Sequence, residues 1–202
     1  APQDFFSWRG GSRSFDGLAA AFPGAVLQIQ TDNAAGEIVT ARATANLFDV
    51  LGVRPMLGRS FRPDEEMPGG ASGVVVLTHT AWTRWFGADR TVIGRRIRLT
   101  QRQDTGGYEI IGVLPPGVTY PITALEDVGA FVPYIATPAD RNHASGARAY
   151  SLHVVGRLRP AVSLERARAD VEHVSAAVRA AYPASRFGGG RPRGKGRRAP
   201  RA

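Results

Sequence analysis

Residues 45–117 constrain the fold more than any other part of this chain. They read ANLFDVLGVRPMLGRSFRPDEE, then GVVVLTHTAWTRWFG, TVIGRRIRLT and, after a polar turn, YEIIGVLPPG. Glycines and prolines recur so often that no element can run on. Leu47, Phe48 and Leu51 predict a short helix started at Thr44 or Asn46. Gly52 stops it, because glycine takes the left-handed C-terminal position without steric cost. Val74 to Leu77 is an unbroken apolar run, as in a strand covered on both faces. Thr78 or Thr80 caps a helix carrying Trp82, Trp85 and Phe86 at i, i+3 and i+4, and Gly87 ends it. Ile97 and Leu99 alternate with Arg96, Arg98 and Thr100. Residues 108–113 return as the second strand of a hairpin, with a fairly long turn predicted over 104–107. Pro115-Pro116-Gly117 closes the unit.

The flanks extend the pattern. Phe5 and Trp8 give a short helical face. Ser14 predicts the cap of a second helix, with Phe15, Leu18 and Phe22 on one side and Pro23-Gly24 as its stop. Residues 26–31 and 38–43 predict two strands about a turn at 33–36. A short strand is predicted at 130–132 and a longer one at 152–158. Ser163 caps a last helix whose Leu164, Ala167, Val171, Val174, Val178 and Ala181 form one apolar stripe. That stripe is predicted to pack against the sheet containing residues 152–158, and Tyr182-Pro183 ends the helix. The fold class that follows is α+β. It is a mixed sheet packed by helices, with a β-rich inserted sublobe over 88–150, inside one domain spanning 1–185.

Charge sets a boundary at the C-terminal end. The chain carries 26 basic and 17 acidic residues, a formal +9. From Arg186 onward there are seven basic residues (Arg186, Arg191, Arg193, Lys195, Arg197, Arg198, Arg201) and no acid. That leaves 19 basic residues to balance 17 acids, so the body is nearly neutral and gives no reason to expect nucleic acid. Residues 186–202 are too poor in apolar side chains to offset their ordering entropy and are expected to be a disordered tail. The abrupt change of composition at Phe187 fits a run foreign to the domain. With no cysteine, disulfides and thiolate chemistry are excluded. No apolar run approaches the roughly 20 residues of a membrane span. No signal peptide opens the chain, and Ala1 in place of methionine suggests a piece of something longer.

No residue pattern points to catalysis. Gly189, Gly194 and Lys195 have phosphate-loop spacing, but Gly196 stands where the magnesium-holding Ser or Thr belongs and Pro192 lies inside. His79, His143, His153 and His173 are never spaced i, i+4, so no metal motif forms. Ser72 in GGASG lacks the spacing of a nucleophile elbow and fits a turn. Asp64-Glu65-Glu66 could serve acid/base work or hold a cation, and the plainer expectation is a solvated surface. Trp82, Trp85 and Phe86 could stack on a sugar, and their helical spacing beside a buried strand favours core. No catalytic, cofactor-binding or metal residue is assigned, no cofactor is expected, and no ligand-binding residue is singled out.

Six phrases in order carry a family resemblance over nearly the whole chain to about Pro183. They are Asp4 with Trp8-Arg9 and Arg13-Ser14-Phe15; Asn46-Leu47-Phe48 through Gly52-Val53-Arg54-Pro55, then Leu57-Gly58-Arg59-Ser60-Phe61; Val75-Val76-Leu77-Thr78 with Trp82 and Phe86-Gly87; residues 92–99; residues 108–117; and Arg157-Leu158-Arg159-Pro160 into Ser163-Leu164-Glu165. In this order the phrases resemble the extracytoplasmic core domain of MacB-like, FtsX-like ABC transporter permeases. The resemblance implies a two-lobed periplasmic core domain inserted between the first and second transmembrane helices. It also implies location on the periplasmic side of the cell inner membrane, with anchoring in the full-length protein. The implied partner is a cytoplasmic ABC ATPase, dimerisation is a family habit, and the work is transmembrane transport or efflux without enzymatic activity of its own. The alternative from another class is a free-standing periplasmic domain that binds or processes a carbohydrate or other ligand, using Trp82, Trp85 and the acidic loop. Solvent-facing tryptophans beside carboxylates would favour it.

Overall fold

A computed structural model describes residues 1–67, 73–101, 104–118, 120–121, 125–143 and 152–182. The basic tail, the Gly189–Lys195 motif and Ser72 lie outside these residues. The helices are α1 (Pro2–Gly11), α2 (Leu47–Leu51), α3 (His79–Phe86), α4 (Pro138–Arg141) and α5 (Leu164–Ala181). The strands are β1 (Phe15–Gln30), β2 (Ala35–Ala43), β3 (Leu57–Gly58), β4 (Val74–Leu77), β5 (Arg96–Gln101), β6 (Asp104–Val113), β7 (Ala130–Pro133) and β8 (His153–Leu158). The caps follow the sequence. Thr78 accepts from the Ala81 N–H and Ser163 from the Arg166 N–H. Gly52 and Gly87 end α2 and α3 in the left-handed region.

Helices and a mixed sheet give the α+β class. β2–β7 and β4–β6 are parallel pairs, and the remaining pairs are antiparallel. Followed from strand to strand, the pairing runs β1–β2–β7–β4–β6–β5 and returns to β1. The sheet therefore closes on itself, with β8 outside the ring and paired to β1. Every strand of the ring contributes to one apolar cluster: Ile29, Ile38, Val132, Val75, Ile110 and Leu99, with Ala81 and Trp82 of α3 joining them. A second cluster covers the other face, where Leu47, Phe48 and Val50 of α2 pack with Phe61, Leu125 and Phe131. The strands of 88–150, β5, β6 and β7, all pair within this common ring.

The helix expected over 14–22 is instead the first half of β1. Its apolar spacing at 15, 18 and 22 imitates a helical face, but Ala19 to Phe22 are all buried. A strand covered on both faces has no period to read, and pairing on both edges overrides the helix propensity of its alanines. Residues 15–21 pair with β8, and residues 28–30 pair with β5. Between these sections Pro23-Gly24 makes a bulge, seen as a register shift against β2. Proline has no N–H to lose there, and a Cβ on Gly24 would run into the Thr40 carbonyl. One strand thereby serves two neighbours on the same side.

The hairpin differs as well. Residues 104–107 are not a turn. The β5–β6 ladder continues to Gln101 opposite Asp104, leaving a two-residue connection. A ladder needs only backbone groups, so Gly106 and Gly107 pair like any other residue. The final correction concerns α5. Its stripe does not lie on the sheet, because α1 is already there. Phe5 is fully buried with Leu18 and Ala20, and Phe6, Trp8, Phe15 and Val154 pack around them. α5 packs outside α1 instead. Only Ala167 of its stripe is buried, and Leu164 is 54% exposed.

Candidate functional site

Where α1 and α5 meet, the contacts run in opposite order along the two helices. The Asp170 Oδ2 accepts from the backbone N–H groups of Arg13 (2.7 Å) and Ser14 (2.8 Å). One turn further along α5, Val174 sits against Gly11, where a Cβ would come within 3.0 Å of its Cγ2. The Trp8 Nε1 then donates to the Ser175 Oγ at 2.9 Å. Past the end of α5, the Tyr182 ring stacks on His143 at 4.9 Å, and His143 Nε2 lies 2.9 Å from the Ser7 Oγ. The numbers fall along α1 as they rise along α5, so the helices are antiparallel. The start of α1 and the end of α5 therefore lie at the same end of the domain. Asp170 fastens the far end. Burial pushes its carboxyl up, but the Ser14 hydroxyl and the two N–H groups outweigh burial and hold it below the usual carboxylate range.

The acidic loop is structural, against the expectation of a solvated surface. Asp64 alone is exposed. Glu65 is 2% exposed and takes both arms of the Arg59 guanidinium, at 2.7 and 3.1 Å, plus the Arg62 N–H at 2.7 Å. Glu66 accepts from the Ala45 N–H ahead of α2 and lies 3.7 Å from Arg9. A buried carboxylate must be paired, and Pro63 opens a short 3-10 turn that aims Glu65 inward. The pairing is invisible in sequence because Arg59 reads as one more loop residue.

Trp82 is 4% exposed, and its Nε1 donates to the Asp89 carbonyl at 2.8 Å. It is core, so the two-tryptophan platform of the alternative does not exist. Trp85 is half-buried, with the Arg84 guanidinium 5.0 Å over its ring. Trp85 also walls a cleft of about 350 Å³ that is lined by Glu37, Glu126, Asp127 and Tyr120. No sequence motif signals this cleft, since its residues come from four separate segments. The four histidines sit apart, on α3, after α4, on β8 and on α5. Among the described residues no three metal-type side chains cluster, and no helix is long and apolar enough to cross a membrane.

Residues 5–174 match the sequence profile of the MacB-like periplasmic core domain. The chain belongs to that family.

This MacB-like periplasmic core domain is also similar in fold to solved structures. One is the periplasmic region of MacB from Actinobacillus actinomycetemcomitans, with 14% identity and a TM-score of 0.62, covering 89% of this chain and 73% of that one. Another is the extracellular domain of the noncanonic ABC-type transporter YknZ from Gram-positive bacteria. It shows 15% identity and a TM-score of 0.60, covering 89% of this chain and 82% of that one. At such identities the likeness speaks for the fold. No curated protein matches the chain. The MacB-like core domain is the periplasmic part of an ABC transporter permease, and that setting implies an ATPase in the full-length context.

Proposed function

We propose that this domain couples the ATP-driven movement of its permease's transmembrane helices to export or to periplasmic partners, and that the α1–α5 pair delivers the movement. The observation that carries this reading is the antiparallel clasp. A domain inserted between two membrane helices must be reached and left on one side. Here the first and last described helices are fastened along their length. Movement of either flank would reach both, and α1 passes it through Phe5 into β1. In this reading the permease is anchored in the cell inner membrane with the domain on the periplasmic side. A cytoplasmic ABC ATPase supplies the work, a second copy completes a homodimer, and the domain catalyses nothing itself. Residues 1–185 act as one core domain with a β-rich part at 88–150, and the tail beyond takes no part.

The test uses the full-length permease with its ATPase in lipid vesicles. A fluorophore goes on Ala177→Cys, an exposed α5 position, with any cysteine elsewhere in the permease replaced. Quenching by headgroup-attached quencher is read without nucleotide and in an ATP-trapped state. The coupling reading expects different quenching in the two states. Identical quenching during active ATP turnover would refute it.

A further inference from the structure

We propose that the cleft beside α3 takes an extended, basic segment of a partner protein, which adds as a strand to the open half-edge of β2. β2 pairs with β1 over its whole length, from Ala35 to Ala43. On its other edge it pairs with β7 only from Thr40 to Ala43. The Val39 and Ala43 carbonyls face that second edge, where they accept from the N–H groups of Gly129 (2.8 Å) and Tyr134 (2.7 Å). Strand alternation sends the N–H and C=O of Glu37 to the same edge. Among the described residues, no backbone group meets them there. Ahead of Gly129 the chain turns, with the Val128 N–H donating to the Leu125 carbonyl, and residues 37–39 and 126–129 together line the 350 Å³ cleft. Unpaired strand edges of this kind are templates for strand addition, in which backbone bonds hold the peptide and flanking side chains select it.

The flanking side chains select for positive charge. Glu37, Glu126 and Asp127 line the cleft and are exposed. Arg84 is the one arginine or lysine among the lining residues, and its guanidinium lies over the Trp85 ring. On a body that is nearly neutral up to residue 185 this is a local acidic patch, and such a patch steers a complementary segment and fixes its register. The Tyr120 hydroxyl behind the cleft wall is buried and, among the described residues, has no hydrogen-bond partner. None of these residues belongs to α1 or α5, so the proposal stands or falls apart from the coupling reading.

The test titrates the full chain into a fluorescein-labelled peptide of three Lys-Val repeats at low ionic strength, followed by anisotropy. Saturable binding is expected. Affinity should fall about tenfold or more for the Glu37→Lys, Glu126→Lys double variant, whose circular dichroism should match the parent. It should fall equally for the same peptide with alternate amides N-methylated, which keeps every charge. Unchanged affinity for the N-methylated peptide overturns strand addition. Unchanged affinity for the double variant, or failure of the Lys-Val peptide to saturate, overturns the cleft as the site. A chain ending at residue 182 that binds about tenfold tighter than the full chain would place the basic run of 186–201 in the cleft and overturn the assignment to a partner.

Discussion

Replacing Glu65 tests whether the acidic loop is scaffold. In the native domain Glu65 receives two hydrogen bonds from Arg59 and one from the Arg62 N–H, while 2% exposed. Glu65→Ala removes three charge-assisted bonds, each worth about 1.5–3 kcal/mol in isolation. They share one carboxylate and do not add. The orphaned Arg59 side chain is also 36% exposed, so water can rehydrate it. That places the loss below the sum, at about 2–4 kcal/mol, near the low end for a broken buried pair. Glu65→Gln keeps the volume and one acceptor and should lose about half as much. Asp64→Ala, one residue away and exposed, should stay within about 0.5 kcal/mol. Urea denaturation at constant m-value reads all three. If Glu65→Ala unfolds at the same midpoint as Asp64→Ala, the carboxylate is not a structural member and the reasoning fails.

Other outcomes follow from the clasp and the bulge. In a Gly11→Cys, Val174→Cys pair the new Cβ would lie 3.8 Å from the Val174 Cβ, a spacing that suits a disulfide. Air oxidation should form the bond and raise the denaturation midpoint; a sample that stays fully reduced would show that the helices are not neighbours. Asp170 titrates below its ordinary value in the folded chain, so its contribution to stability is complete above the unfolded value of about 3.9. It is lost as pH falls through the folded value. Asp170→Asn should therefore remove part of the acid-side loss of stability, and an unchanged slope below pH 4 would contradict that. Gly24→Ala should destabilise by about 1–3 kcal/mol, because the Thr40 backbone cannot retreat without disturbing the β1–β2 ladder. A neutral result in thermal melts would mean the bulge is soft.

Local signals were legible at several helix ends. Gly52 and Gly87 stop their helices as read, and Thr78 and Ser163 cap theirs. The hydrophobic run of β4 and the Trp82 core position could also be read, because burial on all sides leaves an unbroken apolar pattern. Long-range pairing was not legible. Nothing in Ala19-Ala20-Ala21 says that two strands, β8 and β2, meet at this segment, and only those partners turn it from helix to strand. The α5 stripe was read correctly as a stripe, but periodicity cannot say what lies beneath it. α1 covers that face of β1, so Val174 rests on Gly11. The Arg59–Glu65 pair and the acidic cleft had no signature because their members look like surface charge until the chain is folded.

The central claim is that α1 and α5 respond together to the ATPase. Hydrogen–deuterium exchange on the full-length permease in nanodiscs, compared between nucleotide-free and ATP-trapped states, tests it most directly. The account predicts that protection changes in residues 2–11 and 164–181 in concert, while the ring strands at 74–77 and 110–113 keep theirs. Unchanged protection in both helices, or a change in one without the other, would contradict it.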